Sequence, residues 1–244
     1  MSGHSKWATI RHKKGALDAK RGKLFTKIIR EITVAARNGG DPSQNPQLRS
    51  AILKARVLNM PNDNIDRAIK KGVGNLDTTA YEEIVYEGYG PGGIALLIIC
   101  LTDNRKRTAA DVRSKLSKNG GNLGESGCVS YLFSRKGFIT VATEQYSEDT
   151  VLEAALDADV ENIISNEEYI EITTMPEAFE QVLTALDDAQ IKYETASILR
   201  IPETTVTLDA TLKEKALRLL DILEDCDDVQ EVACNIEYAS NTGD

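Results

Sequence analysis

The sequence predicts an α/β (α+β) protein: an N-terminal helical domain over residues 1–77, then a discontinuous α/β domain made of 78–136 plus 202–244, with a second, βαβαβ domain over 137–201 inserted into it. Three observations carry this. Hydrophobic residues recur at helical spacing up to about Lys71 and not at strand spacing. From Tyr81 onward short β-branched runs alternate with helical patterns. The stretch 78–136 holds one helix and one strand fewer than a closed α/β unit needs, and residues 202–244 supply one of each.

In KLFTKIIREITVAARNGG the apolar positions Leu24, Phe25, Ile28, Ile29, Ile32, Ala35 and Ala36 follow the i, i+3, i+4 rule, with Lys23, Lys27, Arg30 and Arg37 on the other side. Asn38-Gly39-Gly40 ends that helix. Asn45-Pro46 starts a second, an N-cap followed by proline at the first helical position, with Leu48, Ile52 and Ala55 inward. Ile65, Ala68 and Ile69 mark a third, with Lys70 and Lys71 near its negative end and Gly72 as its stop. IVYEGY and IALLIICLT read as two strands joined by the turn GPGG, and Thr108–Lys118 as a helix with Ala109, Val112 and Leu116 inward. A Gly-rich loop then leads to CVSYLF, read as a strand. In the insert, FITVAT, EEYIEITT and IKYETASILRI read as strands, and EDTVLEAALDAD and PEAFEQVLTALDDAQ as the helices between them. TLKEKALRLLDILED (helix) and VQEVACNIEY (strand) close the chain.

Charge is distributed along the 244 residues rather than mixed through them. The formal charge is -9, yet residues 1–77 hold 16 Lys/Arg against 6 Asp/Glu, residues 78–136 hold 8 against 6, and residues 137–244 hold 5 against 26. The stretch from His4 to Lys27 carries eight cations against one acid, Asp18. A solvated helix face on an acidic protein interleaves Glu with its Lys, whereas uncompensated cations suit a sugar-phosphate backbone. Lys6, Arg11, Lys13, Lys14, Lys20, Arg21, Lys23 and Lys27 are therefore the candidate phosphate contacts, with His12 beside them and Trp7 available to stack on a base or to sit in the core. A second candidate is DNRKRT, where a strand becomes a helix. Thr102, Asp103 or Asn104 can cap the helix, and Arg105, Lys106 and Arg107 surround its N-terminus; the alternative is a capped, exposed turn.

Other patterns carry less. GGNLGESG neither follows a strand nor opens a helix and lacks a following G-K-[ST], so it reads as a plain connection. His4 and His12 have no ligand-spaced neighbours, and DCDDVQE has Gln230 where a calcium loop needs glycine; no metal and no cofactor are expected. No Ser/His/Asp set can be assembled, which argues against an enzyme. The longest apolar run, Ile94–Leu101, is eight residues, too short for a membrane helix, and four separated cysteines without a C-x-x-C pair suit reduced thiols in a cytoplasmic protein.

The strings GHSKWATIRHKKGALDAKRGKLFTKIIREITVAARNGG, NMPNDNIDRAIKKG, YEGYGPGGIALLIICLTDN and GGNLGESGCVSYLF resemble the YebC/PmpR family, whose members include bacterial transcriptional regulators and a mitochondrial translational activator. The resemblance runs through all three segments and is densest in the first 135 residues. It implies a three-domain cytoplasmic protein that binds nucleic acid without a catalytic centre. The family pattern reads TDNRNRT where this chain has TDNRKRT, so Lys106 adds a cation, and Cys128 stands where Ser is more usual. The expected function is a nucleic-acid-binding regulator of gene expression, foremost a DNA-binding transcriptional regulator on double-stranded DNA. The alternatives are a translation factor on ribosomal RNA, a metal-dependent enzyme acting on nucleic acid, and a protein scaffold.

Overall fold

The computed structural model describes residues 17–74 and 81–237, and for residues 17–21 the backbone only. Among the described residues three helices precede the sheets: α1 (Leu17–Ala35), α2 (Pro46–Val57) and α3 (Asn62–Gly74). Their apolar stripes meet in one core, with Ile32, Leu48, Ala51 and Ala55 fully buried. Asn45 caps α2, its side chain accepting from the Leu48 N–H at 3.1 Å and donating to the carbonyls of Ala35 and Gly39, so one residue starts α2 and ties down the end of α1. Gly72 does not end α3. It lies inside the helix, where a Cβ would stand 2.4 Å from the Thr33 carbonyl oxygen and 2.6 Å from Ala36 Cβ, so its missing side chain lets α3 close on α1.

Two four-stranded, wholly antiparallel sheets follow. The first comprises β1 (Glu82–Tyr89), β2 (Ala95–Thr102), β3 (Asn122–Leu123) and β8 (Val229–Cys234), in the order β3-β1-β2-β8. Helices α4 (Arg105–Lys118) and α7 (Ala210–Glu224) cover one face, burying Leu96, Ile98 and Cys100 with Val112, Leu116, Leu219 and Leu223. Because β2 is covered on both faces, its eight residues are all buried, the pattern of a continuous apolar run rather than an alternating one. The second sheet comprises β4 (Phe133–Ala142), β5 (Val160–Ser165), β6 (Tyr169–Thr174) and β7 (Thr195–Pro202), in the order β5-β6-β4-β7. With α5 (Glu148–Ala154) and α6 (Phe179–Asp188) it forms a split β-α-β-β-α-β unit.

Two expectations are corrected. The second unit is βαββαβ and not βαβαβ, because VENIIS forms the edge strand β5 and the helix before it stops at Ala154. CVSYLF is not a strand: Ser130–Leu132 is one 3-10 turn, and β4 begins at Phe133 and pairs with β7, Lys136 opposite Leu199. The reason is Glu87. Its buried carboxylate on β1 accepts the backbone N–H groups of Gly127 (2.7 Å), Val129 (2.7 Å) and Ser130 (2.8 Å), so those amides close on a side chain instead of a ladder. Burial alone would raise the pKa of Glu87, but the three amide bonds outweigh it and hold the carboxyl below its ordinary range. The loop is an anion-binding nest filled by the chain's own glutamate.

Candidate nucleic-acid interface

Helix α7 ends with acids, Asp221 and Glu224, and has no cation in its last turn, although its C-terminal carbonyls carry partial negative charge. The DCDDVQE turn that follows adds Asp225, Asp227 and Asp228. Helix α1 supplies what this end lacks. Lys23, Lys27 and Arg30 form one row, and Lys23 Nζ donates to the Asp225 carbonyl at 2.7 Å, Lys27 Nζ to the Glu224 carbonyl at 2.5 Å, and Arg30 to the Asp227 carbonyl at 2.9 Å and Asp228 Oδ1 at 3.3 Å. The cations of α1 thus satisfy the unpaired end of a helix some 200 residues away in sequence. Lys27 is only 9% exposed, and burial lowers its pKa, partly offset by Glu224. Arg30 also lies over the Tyr81 ring, 5.4 Å from its centroid.

The second basic element arrives at the same place. Asn104 caps α4, its side chain accepting from the Arg107 N–H at 3.0 Å while the Asn104 N–H donates to Thr102 Oγ1. Arg107 bonds Asp103 at 2.8 Å and Asp228 at 2.9 Å, and Thr108 Oγ1 donates to Asp228 at 2.8 Å. Asp228 therefore links α1, through Arg30, to the start of α4, through Arg107 and Thr108. Burial pushes the Asp228 carboxyl up, but the bonds from Arg107 and Thr108 and the nearby Arg30 outweigh this and hold it below the usual carboxylate range. Its bonds to Asp228 and Asp103 raise the pKa of Arg107.

The residues marked in the sequence divide accordingly. Lys6, Trp7, Arg11, His12, Lys13 and Lys14 lie outside the described residues. Lys20 and Arg21 lie in the first turns of α1, upstream of the docked row, and their side chains are outside the description. Lys23, Lys27 and Arg107 are engaged within the protein. Arg105 and Lys106 are exposed. Sequence reasoning missed Arg30 and Asp228 as the residues that bring the two elements together; the available signal was an acidic turn after a helix with no C-terminal cation of its own. Among the described residues no group of three His, Cys, Asp or Glu stands where it could hold a metal ion, and no helix is long and apolar enough to cross a membrane. The four cysteines are free thiols, and burial pushes Cys100 up to about 12.

A basic helical unit fastened to two antiparallel α+β units defines the class. The chain belongs to the TACO1/YebC family: the model of the TACO1/YebC protein N-terminal domain matches residues 5–75, and that of the TACO1/YebC second and third domain matches residues 81–236. A protein of Treponema denticola, described as a probable transcriptional regulatory protein, is 56% identical over 238 residues, covering 97% of this chain and 96% of its own. One of Geobacter sulfurreducens with the same description is 54% identical, covering 98% and 97%. The crystal structure of a conserved hypothetical protein from Aquifex aeolicus superposes with a TM-score of 0.84 at 48% identity, covering 98% of this chain and 99% of that one.

Proposed function

We propose that this protein is a nucleic-acid-binding regulator of gene expression that grips a sugar-phosphate backbone with its N-terminal basic stretch and the start of α4. The observation that carries this reading is the convergence on Asp228 of two basic elements about 80 residues apart in sequence. Docking uses up Lys23, Lys27 and Arg30, so this reading assigns the phosphate contacts to the cations that precede them in the sequence, from Lys6 to Arg21, and to the exposed Arg105 and Lys106. The family descriptions of relatives as transcriptional regulatory proteins support a nucleic-acid target, with duplex DNA as the first reading.

A second reading is structured ribosomal RNA, because one feature of the helical unit removes the reason to single out duplex DNA. Helices α2 and α3 are joined by only Leu58–Pro61, the length of a helix-turn-helix connection, but the first two turns of α3 expose Asp63 and Asp66 where a recognition helix would meet base edges. Carboxylates there oppose phosphates. Recognition then rests on backbone and shape, which suits a duplex and a folded RNA equally. Replacing Lys13, Lys14, Lys20 and Arg21 together with Glu, leaving the docked Lys23 and Lys27 intact, tests the function. Loss of binding to both a duplex and an RNA hairpin in fluorescence anisotropy, with an unchanged melting temperature, is expected; retained affinity would refute it.

A further inference from the structure

We propose that the outward face of α4, from Lys106 to Arg113, is a second sugar-phosphate contact that extends the interface along the first sheet's helical layer. Lys106 and Arg113 are seven residues apart on α4, so they stand on one side of the helix about 10.5 Å apart, the rise of roughly three nucleotides along a duplex strand. Between and beside them the outward positions are Ala110, Ser114 and Ser117, small enough for a backbone to approach the helix closely. The buried side of α4 is formed by Thr108, Val112 and Leu116, so the cationic side faces away from the core.

Charge compensation separates this face from an ordinary solvated helix. The acids nearest it in the chain are both already engaged: Asp103 binds Arg107 at 2.8 Å and Asp111 binds Lys115 at 2.6 Å. Lys106 and Arg113 are exposed and have no ion pair among the described residues. Two uncompensated cations on one helical row, in a protein of net charge -9, make a local positive surface. The face is also continuous with the interface proposed above, because α4 starts at the Asp228 junction where α1 is held. A nucleic-acid backbone is therefore the occupant, and a protein partner would be expected to meet apolar side chains that this face does not offer.

The inference rests on the proposed nucleic-acid function and is tested so that the two fail separately. The full chain is titrated against a 20-base-pair DNA duplex and an RNA hairpin over a salt series near ~0.1 M. Lys106→Glu with Arg113→Glu is expected to weaken binding at least tenfold and to lower the slope of log affinity against log salt by about two. Arg113→Glu alone is compared with Lys192→Glu, an equal charge change at an exposed position on the second sheet unit, which is expected to leave affinity within twofold. Lys106→Ala with Arg113→Ala repeats the test with a milder change if the Glu variant melts early. An unchanged slope, or equal losses from Arg113→Glu and Lys192→Glu, overturns the α4 face; loss of binding in the Lys13, Lys14, Lys20, Arg21 variant would then leave nucleic-acid binding by the N-terminal basic stretch standing without α4. A wild-type chain that binds neither probe overturns both.

Discussion

Glu87 offers the sharpest structural test, because replacing it with Gln changes one atom and reverses its chemistry. Oε1 accepts from the Gly127 N–H, and Oε2 accepts from both Val129 and Ser130. Glutamine keeps one oxygen and puts an NH2 donor where the other stood, so one or two buried N–H groups face a donor instead of an acceptor. Hydrogen bonds to a charged group contribute about 1.5–3 kcal/mol each, and a buried amide left unpaired costs about 1–3 kcal/mol. Loss of one such bond with partial rearrangement of the loop gives a destabilisation of about 3 kcal/mol, which at ~2–4 °C per kcal/mol for a chain of this size is a fall in melting temperature of about 6–12 °C. Circular dichroism melting reads the fall, and hydrogen exchange at Gly127, Val129 and Ser130 reads its origin. A Glu87→Gln protein that melts within 2 °C of wild type, with those three amides equally protected, would refute the nest.

The pH dependence follows from the same carboxylate and Asp228. Both have folded pKa values below their unfolded ones, so each contributes stability that is complete above the unfolded value near ~4 and is lost as pH falls through the folded one; melting temperature is expected to be flat on this account from pH 7 to 5 and to drop below about pH 4, and the drop should be smaller in Asp228→Asn. Gly72→Ala gains about 1 kcal/mol of helix propensity but drives a methyl into the Thr33 carbonyl and Ala36, so the expected net effect is destabilising by about 1–2 kcal/mol, and a stabilised variant would show that α1 and α3 do not need the close approach. Asp228→Ala leaves Arg30 and Arg107 without their shared carboxylate and is expected to raise hydrogen exchange along α1 while α2 and its core stay protected; equal protection of α1 would contradict its role as the junction.

Elements with strong periodicity were legible from sequence. The three N-terminal helices, the β1-β2 hairpin and α7 follow the stripes formed by Ile28, Ile32, Leu48, Ile52, Leu219 and Leu223 or the run Ile94–Leu101. What was not legible depended on partners distant in sequence. VENIIS has only two partly buried positions and lies at a sheet edge, so its pattern is weak. CVSYLF has strand composition, but Glu87, 42 residues before Val129 and 43 before Ser130, captures the amides of both. Gly72 looks like a helix stop until Thr33 is placed against it. At the candidate interface, clustered cations announced both basic elements. That Lys23, Lys27 and Arg107 are structural while Arg105 and Lys106 face solvent could not be read, because it depends on where the 225–228 turn folds back.

The most direct measurement of the central claim is the salt dependence of binding by the full chain to two duplexes of unrelated sequence and to an RNA hairpin, by fluorescence anisotropy between 0.05 and 0.2 M salt, the range over which counterion release is largest. Backbone contact by the basic stretch and α4 predicts a steep linear fall of log affinity with log salt, and affinities for the two duplexes within about tenfold, well short of the ~10³-fold discrimination of sequence-specific sites. Binding that is insensitive to salt, or a thousandfold preference for one duplex, would contradict the account.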